Sequence, residues 1–423
     1  MTLRSQLAAL CGALALAALA AAPMRADVNP GDVINKDNKD KVTDLVSPGV
    51  MWCIDHGMTM KIVPYQKIDW NPAYKEATEK YSGQVKLSAD GRTIENHVGG
   101  MPFPSIDPND PNVALKIMFN YEFKPFVTDD QDLRNFDADT GTVSDKPLDV
   151  ERHYILDHLR TLFYTGRLYV DPKPVLLPNT DGVRAKQSLH PILEPFDLKG
   201  VGLTGIRYLD PDRQDDTWLY LPTLRRVRRL SSAQRSDALF GQDTDVDSYG
   251  GYAGQIPWFT WKFLGSKKIL GTFHAEKFPV EYCPGGADFV YCDNWEPREV
   301  WVLEGTAKQA QYAYGKRVLF IDKESYYIAY SDIYDKAGQL WKVWINQFSF
   351  RNKAAPGYGD TYDSAMPFTH SITMADMQLS HATRAALPSP KYPGEPGWYF
   401  NQGEKTGLTE EFFTIAHMIS ASN

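Results

Sequence analysis

Apolar and polar positions alternate most clearly between Val300 and Phe350. Four apolar and aromatic runs, Val300–Glu304, Arg317–Ile321, Tyr326–Ile333 and Leu340–Phe348, are separated by Gly315-Lys316, Asp322-Lys323 and Lys336-Ala337-Gly338. Val343 and Ile345 set against Lys342, Trp344 and Asn346 give a period of two, the repeat of a strand with two unlike faces. Short turns between such runs predict an antiparallel meander. Elsewhere the signals are more local. Val33–Leu45 predicts a short helix ended by Ser47-Pro48-Gly49. Asn71-Pro72 opens a second helix through Tyr81, since proline fits the first turn and Ala73, Glu76, Ala77 and Lys80 are good helix formers. Gln84–Leu87 reads as a strand turned at Asp90-Gly91, Met101–Pro111 as a proline-bound loop, and Thr217–Leu221 as a strand. His153–Val170 is half apolar without a clean period, so helix and strand both stay open. Pro172–Pro195 and Pro388–Pro396 read as loops, and Thr409–Ile419 as a short amphipathic helix. With no internal repeat and no linker, residues 27–423 are expected to form a single β-rich α+β unit with peripheral helices.

Composition sharpens that reading. Of 423 residues, 13% are aromatic (10 Trp, 23 Tyr, 20 Phe) and 23% charged. Aromatics suit a pleated surface and leave apolar area that can line a cavity. The N-terminus carries Arg4, an Ala/Leu run from Leu7 to Ala22 and small residues from Ala20 to Ala26. This reads as a secretory signal cleaved after Ala26 and places the protein in the periplasm; a membrane anchor is the competing reading, but the run is short for a span. Removing Arg4 and Arg25 leaves 43 basic against 53 acidic residues, a balance of −10 that argues against nucleic acid as a partner. Of the four cysteines, Cys11 lies in the signal. Cys283 and Cys292 flank the turn Pro284-Gly285-Gly286 and are expected to form a disulfide in an oxidising compartment, with two free buried thiols as the alternative. Cys53 is expected to be a buried thiol. No second cysteine pair or nearby histidine completes a zinc set, so no metal is expected.

Signatures of catalysis are missing: there is no Gly-x-Ser-x-Gly, His-Glu-x-x-His, Walker loop or Gly-x-Gly-x-x-Gly. No catalytic residue and no cofactor are expected, and the nine scattered histidines read as surface or core residues. Asp243-x-Asp245-x-Asp247 resembles the start of a calcium loop, but Ser248 and Gly254 stand where such a loop needs Gly and Glu, which favours a solvated acidic loop. A sharper feature follows Trp218-Leu219-Tyr220-Leu221-Pro222. Arg225, Arg226, Arg228, Arg229 and Arg235 fall within eleven residues of an acidic chain. Arginine forks suit carboxylate or phosphate, so the cluster would meet an anionic head-group or an acidic partner, unless it pairs with Asp210, Asp212, Asp215, Asp216, Asp243 and Asp245 nearby. Beyond it, Tyr249-Gly250-Gly251-Tyr252-Ala253-Gly254 leads into Pro257-Trp258-Phe259-Thr260-Trp261-Lys262-Phe263. Glycines beside dense aromatics suggest a flap over an apolar site, with an ordinary core strand as the plain alternative. Trp218, Tyr220, Tyr252, Trp258, Phe259, Trp261, Phe263 and the five arginines are therefore the candidate ligand-binding residues.

Four stretches together resemble a bacterial exported family of unknown function, domain of unknown function 1329, which is outer membrane lipoprotein-sorting-protein-like. They are Ser47-Pro48-Gly49 to Gly57-Met58 with Tyr74–Ser82, Gly99–Pro104 with Asp107-Pro108 and Phe119-Asn120, Trp218–Pro222 with Arg225–Arg229, and Phe240–Asp243. The family tends to carry Ser-Asp-Phe where this chain has Gln242-Asp243-Thr244, so contacts there are expected to differ. The resemblance implies a fold similar to the carriers LolA and LolB: a curved, half-closed antiparallel sheet with helices on its concave face, an apolar cavity and no catalysis. It also implies association with an inner-membrane pump of the resistance-nodulation-division type and an outer-membrane β-barrel partner. The expected function is a periplasmic carrier or chaperone for a hydrophobic, lipid-like or lipoprotein-like cargo. A glycan-binding or carbohydrate-active protein and a structural adaptor of an envelope complex are the rivals. An open platform with two nearby carboxylates would favour the first rival, and a sealed sheet the second.

Overall fold

The computed structural model describes residues 28–422 apart from 232–233, 356 and 393, so the signal-like segment lies outside the described residues. Seventeen strands join in one large sheet. Its main run is antiparallel throughout. From one edge it passes Arg226–Arg229, Asp216–Leu221, Gly202–Tyr208, Val183–Leu189, Asp149–Phe163, Asp130–Thr142 and His381–Ala386. It continues through Tyr358–Asp376, Leu340–Ala355, Ile328–Tyr334, Lys316–Asp322 and Asn294–Ala307 to the other edge, Phe259–Gly271. The four runs expected between residues 300 and 350 are consecutive strands of this order. The sheet does not close. Its two edge strands, Arg226–Arg229 and Phe259–Gly271, follow one another in sequence, and the described residues 235–254 between them cross one face of the sheet.

Local chemistry explains the helices. Asn71 caps Pro72–Tyr81 by accepting from the Tyr74 N–H at 2.9 Å, as its sequence suggests. Ser47-Pro48-Gly49, expected to end a helix, instead starts one. Ser47 accepts from the Val50 N–H at 3.2 Å, and Pro48 occupies the first turn of Pro48–Asp55. Upstream, Val33–Leu45 gives only a two-residue strand and a short 3-10 turn, Lys39–Val42. A third helix, Val113–Glu122, is not among the elements expected from the sequence. At the C-terminus Thr414 is extended and divides the expected helix into a 3-10 turn, Glu410–Phe413, and Ile415–Ala421.

Both faces of the sheet are covered. On the outer face, Pro48–Asp55 lies on Leu340–Ala355, where Gly49 approaches Val343. The C-terminal turn packs behind Leu162, Tyr164, Val183 and Tyr208. Val113–Glu122 lies on the inner face, in an apolar cluster with Trp258, Phe259, Trp261, Leu303 and Leu319. This double covering resolves Asp149–Phe163 as a strand: its pattern has no clean period because residues on both sides are buried. Cys283 and Cys292 are joined in a disulfide, and Cys53 is buried and free.

Candidate functional site

The inner face carries a partly open cavity of about 330 Å³. Its floor is built in rows, because residues directly opposite on neighbouring strands share a face. Leu133 pairs with Leu159, Leu159 with Leu189, and Leu189 with Leu203, giving a leucine row across four strands. Leu219 extends it onto a fifth. Two residues along each strand comes a polar row: Gln131, Thr161, Gln187, Gly205 and Thr217. Gln131 donates to the Thr161 hydroxyl at 3.3 Å within it. Beyond that lie Phe163, Ala185 and Arg207. The floor therefore changes from apolar to polar along the strand direction.

The roof is the strap that joins the two sheet edges. Leu239, Val246, Tyr249, Gly250, Tyr252, Ala253 and Gly254 line the cavity from it. Gly251 sits at φ +100, and a Cβ there would fall 2.6 Å from the Ile328 side chain, so only glycine lets the strap lie this close to the sheet.

Buried charges staple the strap down. Arg235 donates from Nε to Asp247 at 2.7 Å and reaches Asp215 at 3.2 Å. Asp215 also takes Arg207 at 2.8 Å, and Arg207 donates to the Ala253 carbonyl at 2.7 Å. Tyr312 donates to Asp247 at 3.1 Å and Tyr314 to Asp245 at 2.6 Å. Arg317 reaches the carbonyls of Asp247 and Gly251. Burial opposes ionisation of Asp215, but Arg207 and Arg235 outweigh it and hold its carboxyl below the usual range. Asp245, wholly enclosed, is pushed up by burial despite Arg317.

The family model described as a protein of unknown function, DUF1329, matches residues 33–414. The chain belongs to that family. Among relatives of this DUF1329 protein, an uncharacterized Pseudomonas aeruginosa protein is 24% identical over 333 residues, 75% of this chain and 69% of that one. A Vibrio parahaemolyticus domain described as outer membrane lipoprotein-sorting is similar with a TM-score of 0.47 at 20% identity, covering 72% of this chain and 98% of that one. A DUF1329 protein from Desulfovibrio piger gives 0.44 at 13% identity, over 71% of this chain and 96% of the other. A LolA superfamily protein from Nitrosomonas europaea gives 0.37 at 15% identity, over 71% and 98%. These overlaps are partial.

The residues singled out in the sequence separate in space. Arg235 and Tyr252 line the cavity. Tyr252 is buried, donates to the Gln255 carbonyl at 2.8 Å, and its own carbonyl accepts from Tyr121. Trp218 and Tyr220 lie on the opposite face of their strand from Thr217, turned away from the cavity. Trp258, Phe259, Trp261 and Phe263 do not line the cavity either. Phe259, Trp261 and Phe263 alternate with the exposed Thr260, Lys262 and Leu264, which puts them on the inner face, but Val113–Glu122 covers that end of it. Trp261 donates to the Ile256 carbonyl at 2.9 Å, and Trp258 lies under the Arg235 guanidinium.

The arginine cluster divides likewise. Arg229 pairs with Asp216 and Arg235 with Asp215 and Asp247. Arg225, Arg226 and Arg228 are exposed on the sheet edge and make no ion pair among the described residues. The acidic triplet is not solvated. Asp243, Asp245 and Asp247 are all buried and face different partners, Asp243 accepting from Thr383 at 2.8 Å beside His381. They do not converge on one ion. Sequence reasoning missed the leucine row, Arg207 and Lys124. The alternation of Val183–Leu189 and Gly202–Tyr208 held the only signal for the rows, and nothing local marked which face was inner.

Proposed function

We propose that this protein is an exported, periplasmic carrier that holds a hydrophobic cargo under the strap. The observation that supports this most directly is the cavity of about 330 Å³ with a leucine row on its floor. That volume is at the low end of ordinary ligand sites, about 300–1,000 Å³, which suits one aliphatic chain. Each methylene moved from water onto such a floor contributes about 0.8 kcal/mol before the losses of association. In this reading the strap excludes water, and Arg225, Arg226 and Arg228 form an outward basic edge for an acidic partner, with a pump of the resistance-nodulation-division type and an outer-membrane barrel as the partners to test.

The geometry favours carriage over glycoside hydrolysis. The two carboxylates at the cavity, Glu122 and Asp215, are each ion-paired to arginine rather than left as an acid–base pair. A hollow inner face likewise speaks against a purely structural adaptor. Titration with the apolar fluorophore N-phenyl-1-naphthylamine tests the reading. Saturable binding is expected, and Leu159→Trp or Leu203→Trp should fill the cavity and abolish it while the protein still unfolds cooperatively. Absence of saturable binding, or binding unchanged by both substitutions, would overturn it. Native mass spectrometry of protein purified from cells should show a co-purifying apolar mass.

A further inference from the structure

Five charged residues line the cavity: Glu122, Lys124, Arg207, Asp215 and Arg235. Four are neutralised. Glu122 pairs with Arg184 at 3.1 Å, and Arg207 and Arg235 share Asp215, with Asp247 on the far side of Arg235. Lys124 is different. It makes no ion pair among the described residues. Its ammonium lies 4.4 Å from the centre of the Tyr121 ring and 5.4 Å from that of Tyr327, and its nearest acceptor is the Tyr121 carbonyl at 3.4 Å. Burial pushes the amine down to about 8, Glu122 opposing and Arg184 assisting. A cation held against two rings without a carboxylate is under-compensated, since removing charge from water is repaid only by close pairing.

Its position along the floor adds a second observation. Glu122, two residues before Lys124, pairs with Arg184 at 3.1 Å, and the Arg184 guanidinium lies 4.8 Å from the centre of the ring of Phe163, which pairs with Ala185 in the row beyond the polar one. Lys124 thus sits past the polar row, at the opposite end from the leucines. Apolar floor, polar floor and an unpaired cation follow one another in that order.

We propose that the cavity takes a single-chain anionic amphiphile, its chain along the leucine row and its acidic end, carboxylate or phosphate, ion-paired with Lys124. This rests on the carrier reading and narrows it to a ligand class. The volume argues for one chain rather than two, and the charge inventory for one negative charge on the ligand. The paired arginines need no ligand charge; Lys124 does.

Calorimetric or fluorescence-competition titration of the purified protein with dodecanoate, dodecyl phosphate and dodecanol tests it. An ion pair in such a site should favour an acid over the alcohol by about tenfold or more. Comparing dodecanoate with dodecyl phosphate identifies the preferred acidic end. Lys124→Met should bring acid and alcohol affinities together, whereas Lys124→Arg should keep the preference; thermal unfolding of both variants checks that they fold. Equal binding of acid and alcohol to the wild type would overturn the assignment and leave the carrier reading intact. So would a preference that survives Lys124→Met. If none of the three binds, both readings fall.

Discussion

The strap, residues 235–254, and the start of the edge strand, Phe259–Phe263, are close in sequence and both carry aromatic side chains. They do opposite things. The edge strand buries Phe259 and Trp261 in an apolar cluster, their rings 5.5 Å apart. The strap carries Arg235, Asp245 and Asp247 into the interior and satisfies them with partners from several strands. One segment is held by area removed from water, the other by paired charge and close backbone approach. The difference shows that aromatic density marks packing, while enclosed charge marks the piece that covers a cavity.

Substitutions at the two regions should therefore fail differently. Trp261→Ala is expected to have the largest effect, about 3–5 kcal/mol of global stability, read by urea unfolding, with little local change in the strap. Arg235→Ala removes the main partner of Asp247 and is expected to cost about 3 kcal/mol or more. Hydrogen exchange should then rise across 239–254, and affinity for the apolar fluorophore should fall. If exchange rises equally in Phe259–Gly271, the two regions are one cooperative unit and the contrast fails. Joint replacement, Arg235→Met with Asp247→Leu, should recover part of that loss, because no unpaired charge is left. Gly251→Ala is expected to cost about 1–3 kcal/mol and to lift the strap from Ile328, visible as faster exchange there. Smallest of all, replacing Arg225, Arg226 and Arg228 together by Gln should change unfolding free energy by less than about 0.5 kcal/mol, since these side chains pair with nothing among the described residues. A larger loss would mean the edge arginines belong with Arg235 after all.

The meander was legible because its strands alternate and its turns are short. Asp149–Phe163 was not, because Arg160 packs against Phe412 on one side while Leu159 and Thr161 face the cavity on the other, so both parities mix polar and apolar residues. Ser47-Pro48 was misread in direction: the same two residues stop one helix or start the next, and the hydrogen bond to Val50 decides. For the site, the run from Trp218 to Arg235 pointed to the right neighbourhood. Period two already separates Thr217 from Trp218 and Tyr220, but which parity faces inward depends on what the distant Leu189 and Leu203 bring alongside. Lys124 had no signal at all. A lysine two residues past an unrecognised helix becomes notable only when every other charge around it has a partner.

Because the strap runs from one free edge of the sheet to the other, it is anchored by peptide bonds at both ends, like a belt rather than a hinged lid. Any widening of the already partly open cavity would come from sideways slack in that belt, and not from swinging about one end. A single proteolytic cut within it would leave every residue in place yet turn the belt into two loose tails, uncoupling capture of a ligand from its retention.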